Sequence, residues 1–208
     1  MAGRKLSGVI FDADGVLQHA GPFAAEDGVW PAAQARAFVA DLYGRRLSAG
    51  DLADAEAFTA ACAQALEAAG WPQGPAAFLD DWRARAIAPD RAMLEDVRRL
   101  RAAGIACYVG SNQDAFWAAH LEEGLGYGAR FDGLYLSCRL GAAKPQAAFF
   151  EAMLADIPLP REELVFFDDK AANVEAAQAC GLTARVFTDR SGYLRDLEAL
   201  YGPQPGSN

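Results

Sequence analysis

The stretches SGVIFD (residues 7–12), IACYVG (105–110) and LVFFD (164–168) constrain the fold more than anything else in the chain. Each is a short, unbroken apolar run. A strand with one face in water alternates apolar and polar side chains, whereas a strand covered on both faces does not. Strands of the second kind belong to parallel sheets, because parallel neighbours need long crossovers whose helices cover both faces. GLYLS (133–137) and ARVFT (184–188) read as two further strands. Helical stretches separate them. PDRAMLEDVRRLRAAG places Met93, Leu94, Val97 and Leu100 on one face and closes at Gly104. DAFWAAHLEEGL, PQAAFFEAMLAD and KAANVEAAQACGL are the others, the last ending at Gly181. From residue 90 onward this alternation predicts an α/β fold, a parallel sheet with helices on both faces.

Residues 18–87 interrupt the pattern. They are rich in alanine and carry no convincing strand. SAGDLADAEAFTAACAQALEAAG opens with a capping box, Ser48 and Asp51, and PAAFLDDWRARA sets Phe78, Leu79 and Trp82 on one side. The expected organisation is an all-helical cap, 18–87, inserted into a discontinuous core of 1–17 and 88–208. In open α/β sheets ligands bind at the carboxyl ends of strands. An insertion directly after the first strand hangs over that edge and can act as a lid.

Bulk properties exclude some partners. A net charge of -9 argues against a general nucleic-acid or anionic-membrane surface. Cys62, Cys107, Cys138 and Cys180 are scattered, form no CxxC pair, and read as small core residues in a reducing compartment. The apolar run near the N-terminus is too short for a signal peptide, and no stretch is long enough to span a membrane. A soluble cytoplasmic protein, a monomer or homodimer, is expected. The tail GPQPGSN reads as loose.

The strand ends carry the chemistry. The first strand runs into Asp12, with Asp14 and Gly15 just beyond; the second ends in GSNQ, giving Ser111 and Asn112. GAAKPQ supplies Lys144 beside Pro145, and LVFFD ends in Asp168 and Asp169. A parallel sheet gathers all of these at one edge. Carboxylates crowded there repel, and a divalent cation removes that repulsion. All-oxygen ligation suits Mg²⁺, which retains waters and shares phosphate oxygens. With Lys144 as a second cation, and Ser111 and Asn112 as hydrogen-bond donors beside backbone N–H groups at the following helix start, the edge suits a dianion such as phosphate. An ionised aspartate needs no base to act as nucleophile. Asp12 would attack phosphorus, forming an aspartyl-phosphate. Asp14, on the same side of an extended chain, would protonate the leaving oxygen and then activate water.

FDADGVL, GSNQ, KPQAAFF and FFDDKAANVEAA together resemble the four motifs of the haloacid dehalogenase-like superfamily, in order and spacing over residues 7–190. The resemblance implies a Rossmann-like core with a helical cap of the C1 type. It implies Asp12 as nucleophile, Asp14 as acid/base, and Ser111 with Lys144 on the phosphate. Mg²⁺ would be held by Asp12, the backbone carbonyl of Asp14 and Asp169, with Asp168 as an outer or alternate ligand. Asn173 falls where many members carry a further acid, and its role stays open. Within the superfamily the core segments most resemble small bacterial sugar-phosphate phosphatases, including glucose-1-phosphate-type enzymes. The partner implied is a small phosphorylated metabolite.

DADG as an EF-hand loop fails, since Leu17 and Phe23 stand where glycine and glutamate are needed. His120, Phe116 and Trp117 read as structural, and His19 as solvent-exposed. Arg139 reads equally as a surface residue or a contact to an anionic or sugar group. A phosphomutase working through the same intermediate, or a catalytically silent binding protein on this scaffold, are the rival functions.

Overall fold

The computed structural model describes residues 5–20, 55–68 and 74–202. The Ser48–Asp51 capping box and the tail beyond Gly202 lie outside them. The described strands are β1 (Gly8–Phe11), β2 (Gln18–Ala20), β3 (Ile87–Pro89), β4 (Ala106–Ser111), β5 (Gly133–Leu136), β6 (Leu164–Asp168) and β7 (Thr183–Val186). The described α-helices are α1 (Ala55–Ala68), α2 (Pro75–Arg85), α3 (Arg91–Ala102), α4 (Ala115–Ala119), α5 (Tyr127–Arg130), α6 (Ser137–Leu140), α7 (Ala147–Asp156), α8 (Ala171–Ala179) and α9 (Arg190–Tyr201).

Five strands form one parallel sheet in the order β5-β4-β1-β6-β7. This is the doubly wound α/β arrangement expected from the unbroken apolar runs. β1 lies at the centre, where the chain order reverses: Phe11 pairs with Val109 of β4 and with Phe167 of β6. Both its faces are dry, as its sequence requires. Val9 and Phe11 point into one apolar cluster with Val109, Phe167 and Tyr193, and Ile10 points into the other with Phe149, Phe150, Met153 and Phe166.

The helices follow their apolar spacing. Asp90 caps α3 by accepting from the N–H groups of Ala92 and Met93, and Met93, Val97 and Leu100 are buried. α4 is shorter than the DAFWAAHLEEGL reading, because at His120–Gly124 the chain switches to a π-helical turn. Pro145 does not open the next helix; α7 begins at Ala147, and the Lys144–Pro145 peptide is cis.

The segment 18–87 does contain strands. β2 and β3, at its two ends, pair antiparallel, with His19 opposite Ala88. They escape a periodicity search because each has only three residues, too few to show a pattern. Between them, Phe78, Leu79 and Trp82 of α2 are buried as predicted. Trp82 lies edge-on to Trp117 at 5.2 Å and stacks on Phe116 at 5.6 Å, so helix α2 shares its apolar cluster with α4 of the core. All four cysteines are free thiols; Cys62 and Cys107 are buried and the other two half-buried.

Phe167 is fully buried and packs against Phe11 and Tyr193. Phe167→Ala is expected to lower unfolding stability by about 3–5 kcal/mol, read from urea titrations. A loss under about 1 kcal/mol would contradict the packing described.

Candidate active site

The central strands deliver their C-terminal residues to one edge. Asp12 follows β1 directly, and its N–H donates to the Phe167 carbonyl at 2.8 Å. The chain then turns instead of continuing extended. The Ala13 carbonyl accepts from the N–H groups of Leu17 and Gln18 at 2.9 and 3.0 Å, and Gly15 takes a left-handed φ of 85°. A Cβ on Gly15 would stand 2.8 Å from Cγ of Asp169, so glycine serves both the turn and the close approach of that acid.

This turn corrects the expected placement of the two acids of DADG. They do not share one face of an extended strand. Asp12 is buried, whereas Asp14 is exposed, with its Oδ1 accepting from Nε2 of Gln18 at 2.9 Å and its Oδ2 from Nε2 of Gln113 at 2.7 Å.

Lys144 stands at the centre of the buried group. Its Nζ reaches Oδ1 of Asp12 at 2.9 Å, Oδ2 of Asp168 at 2.6 Å and the carbonyl of Gly110 at 2.8 Å. Three acceptors match the three protons of an ammonium. Asp168 is fully buried and also accepts from the N–H of Lys170 at 2.8 Å and from Nδ2 of Asn173 at 3.0 Å. Asn173 therefore has a structural assignment: it orients Asp168. Burial, partly offset by Lys144 and reinforced by the charge of Asp168, pushes the Asp12 carboxyl up to about 6.

Asp12, Asp168 and Asp169 each direct one carboxylate oxygen so that the three lie within 4.8 Å of one another. One ammonium against three carboxylates leaves an excess of negative charge. Hard oxygen donors in such excess fit a divalent cation, and Mg²⁺ in particular. The Asp14 carboxylate is not in this group. Ser111 is buried at the end of β4, where its Oγ accepts from Nε2 of Gln113 at 3.2 Å.

Asn112 holds Lys144 by its main chain. Its Oδ1 accepts from the Lys144 N–H at 2.8 Å and its Nδ2 donates to the Lys144 carbonyl at 2.9 Å. That engages the amide oxygen and one N–H, so anchoring Lys144 is its main visible role. The start of α4 is not an open anion site either, since the carboxylate of Asp114 caps it by accepting from the N–H of Trp117. Arg139 ion-pairs with Glu122, His19 lies 3.4 Å from Asp90, and His120 packs edge-on to Trp117.

Gln18 and Gln113 were missed by sequence reasoning. Both lie against Asp14, but Gln113 is 99 residues from it and no local pattern announces the contact. A cavity of about 410 Å³ opens beside Asp14. Asp14, Asn112, Gln113 and Trp117 line its core side, and Gln18, Trp82, Ala86 and Ile87 the side of the 18–87 segment.

A doubly wound α/β sheet thus gathers acids and a buried lysine at its carboxyl edge, the place where open α/β sheets bind ligands. Residues 6–181 match the haloacid dehalogenase-like hydrolase family, and the chain belongs to it. A sesquiterpene phosphatase of Aspergillus oryzae is 34% identical over 116 residues, 56% of this chain and 59% of that protein. The chain thus spans less than two thirds of that curated relative. A HAD-like hydrolase from Porphyromonas gingivalis shares the fold with a TM-score of 0.70 at 20% identity, over 94% of this chain and 97% of that one. A HAD family enzyme from Bacteroides thetaiotaomicron, solved in complex with magnesium and inorganic phosphate, superposes with a TM-score of 0.69 at 19% identity, over 91% of this chain and 100% of that one.

Removing Lys144 leaves two buried acids facing each other. Lys144→Met is expected to cost on the order of 3 kcal/mol or more in unfolding stability, and Asp12→Asn in that background should restore part of it. Additive single effects in the double-mutant cycle would contradict the coupling.

Proposed function

We propose that the chain is a Mg²⁺-dependent phosphatase that hydrolyses a small phosphomonoester through an aspartyl-phosphate on Asp12. The observation that carries this reading is the convergence of Asp12, Asp168 and Asp169 around Lys144. Bound Mg²⁺, held by Asp12, Asp169 and the backbone carbonyl of Asp14 with Asp168 behind or beside them, would supply positive charge to offset the repulsion between nucleophile and phosphate. Lys144 neutralises the same oxygens from the buried side and fixes the carboxylate of Asp12 for in-line attack. Ser111, one remaining N–H of Asn112 and nearby backbone N–H groups bind the phosphate oxygens. Asp14, at the cavity mouth, gives its proton to the leaving oxygen and takes one from the water that hydrolyses the intermediate. The segment 18–87 acts as the cap, with β2 and β3 at its joint with the core.

The leaving group is uncharged in this reading. Among the described residues lining the cavity there is no lysine or arginine to hold a second phosphate. A sugar phosphate fits the polar part of the lining, Asp14, His19, Asn112 and Asp114, which can meet hydroxyls. The second reading is an isoprenoid monophosphate, favoured by the rings of Trp82 and Trp117 beside Ile87 and by the likeness to the sesquiterpene phosphatase. The four free cysteines accord with a cytoplasmic location.

A panel of sugar phosphates, a prenyl monophosphate and p-nitrophenyl phosphate, assayed for free phosphate with Mg²⁺ and with chelator, tests the proposal. Chelation should abolish release, and Asp12→Asn and Asp169→Ala should each lower kcat by about three orders of magnitude or more. Near-normal turnover in either variant would overturn its role. Sugar isomers without net phosphate release would identify a mutase, and no turnover on any probe a silent module.

A further inference from the structure

We infer that Gln113 is a positioning residue: its side-chain amide aims Asp14 at the leaving group and ties it to the phosphate-binding end of β4. The inference rests on the phosphatase reading above. Asp14 is exposed, on a turn, and a carboxylate there would ordinarily sample several rotamers. Here it does not hang free. Gln113 donates to Oδ2 at 2.7 Å while Gln18 donates to Oδ1 at 2.9 Å, so both oxygens are held and the carboxylate plane is set.

The two amides are themselves fixed. Gln113 is 7% exposed and Gln18 fully buried. The Gln113 backbone is held on both sides, its N–H donating to Oγ of Ser137 at 3.0 Å and its carbonyl accepting from the same hydroxyl at 3.1 Å and from the N–H of Cys138 at 3.2 Å. Its Nε2 also donates to Oγ of Ser111 at 3.2 Å. Gln113 therefore bridges the acid/base to the end of β4 that carries Ser111. A misplacement of about 1 Å in a proton donor can cost on the order of a hundredfold in rate, so a support of this kind acts on catalysis without touching phosphorus.

Leaving-group dependence separates this role from a merely structural one. p-Nitrophenolate departs well without a proton, whereas phenolate needs one more. The kcat/KM of p-nitrophenyl phosphate and of phenyl phosphate, both with Mg²⁺, reports the step in which Asp14 acts as acid. Gln113→Met keeps the length of the side chain and removes the amide. It should lower kcat/KM for phenyl phosphate about tenfold or more beyond any loss for p-nitrophenyl phosphate, a portion of the ~10²–10⁴ that a placed acid contributes. Ser137→Ala should shift the same ratio in the same direction by less. An unchanged ratio in folded Gln113→Met, whatever the absolute rates, would overturn the role of Gln113 and leave the phosphatase reading standing. Wild-type protein inactive on both probes would overturn that reading and the inference with it.

Discussion

The ammonium of Lys144, closed in by Asp12, Asp168 and the Gly110 carbonyl, is the contact on which the site depends. A buried carboxylate is costly alone, and two facing each other are costlier. The lysine makes the pair tolerable and at the same time defines where positive charge is concentrated. Much of the surrounding polar structure serves that contact. Asn112 clamps the lysine main chain, and Asn173 and the Lys170 N–H orient Asp168. The sheet supplies the rest, since β1, β4 and β6 are neighbours and end together.

The acids still outnumber the lysine, and that imbalance links structure to chemistry. Asp169 stands at the open side of the group, close to Gly15, where a cation with its waters and a phosphate would meet. On the proposed reading the cavity beside Asp14 would receive the leaving group. Its walls come from both the core and the 18–87 segment, so the leaving group would be chosen where the two meet. Trp82 sits at that joint, packed on Trp117 and Phe116, which makes it part of the hydrophobic cluster as well as part of the wall.

The sheet was legible because its strands are buried on both faces and their apolar runs are unbroken. The acids and Lys144 were legible because they end those runs, or lie in a loop between them, in a parallel sheet. What stayed hidden depends on contacts that leave no local trace. β2 and β3 have three residues each, too few to show a period, and they find each other across the inserted segment. The turn after Asp12 is set by three N–H groups converging on the Ala13 carbonyl, so an extended reading of DADG separated poorly from the real one. Asn112 looked like an anion donor because its partner, the main chain of Lys144, is 32 residues away. Gln113 stands in the GSNQ motif, yet only the fold brings it to Asp14.

The central claim is that Asp12 becomes phosphorylated, and acid quenching during turnover of a ³²P-labelled phosphomonoester with Mg²⁺ tests it most directly. Peptide mapping of the quenched protein should place the label on Asp12 and nowhere else. Label on another residue, or none on the protein while phosphate accumulates, would contradict the account.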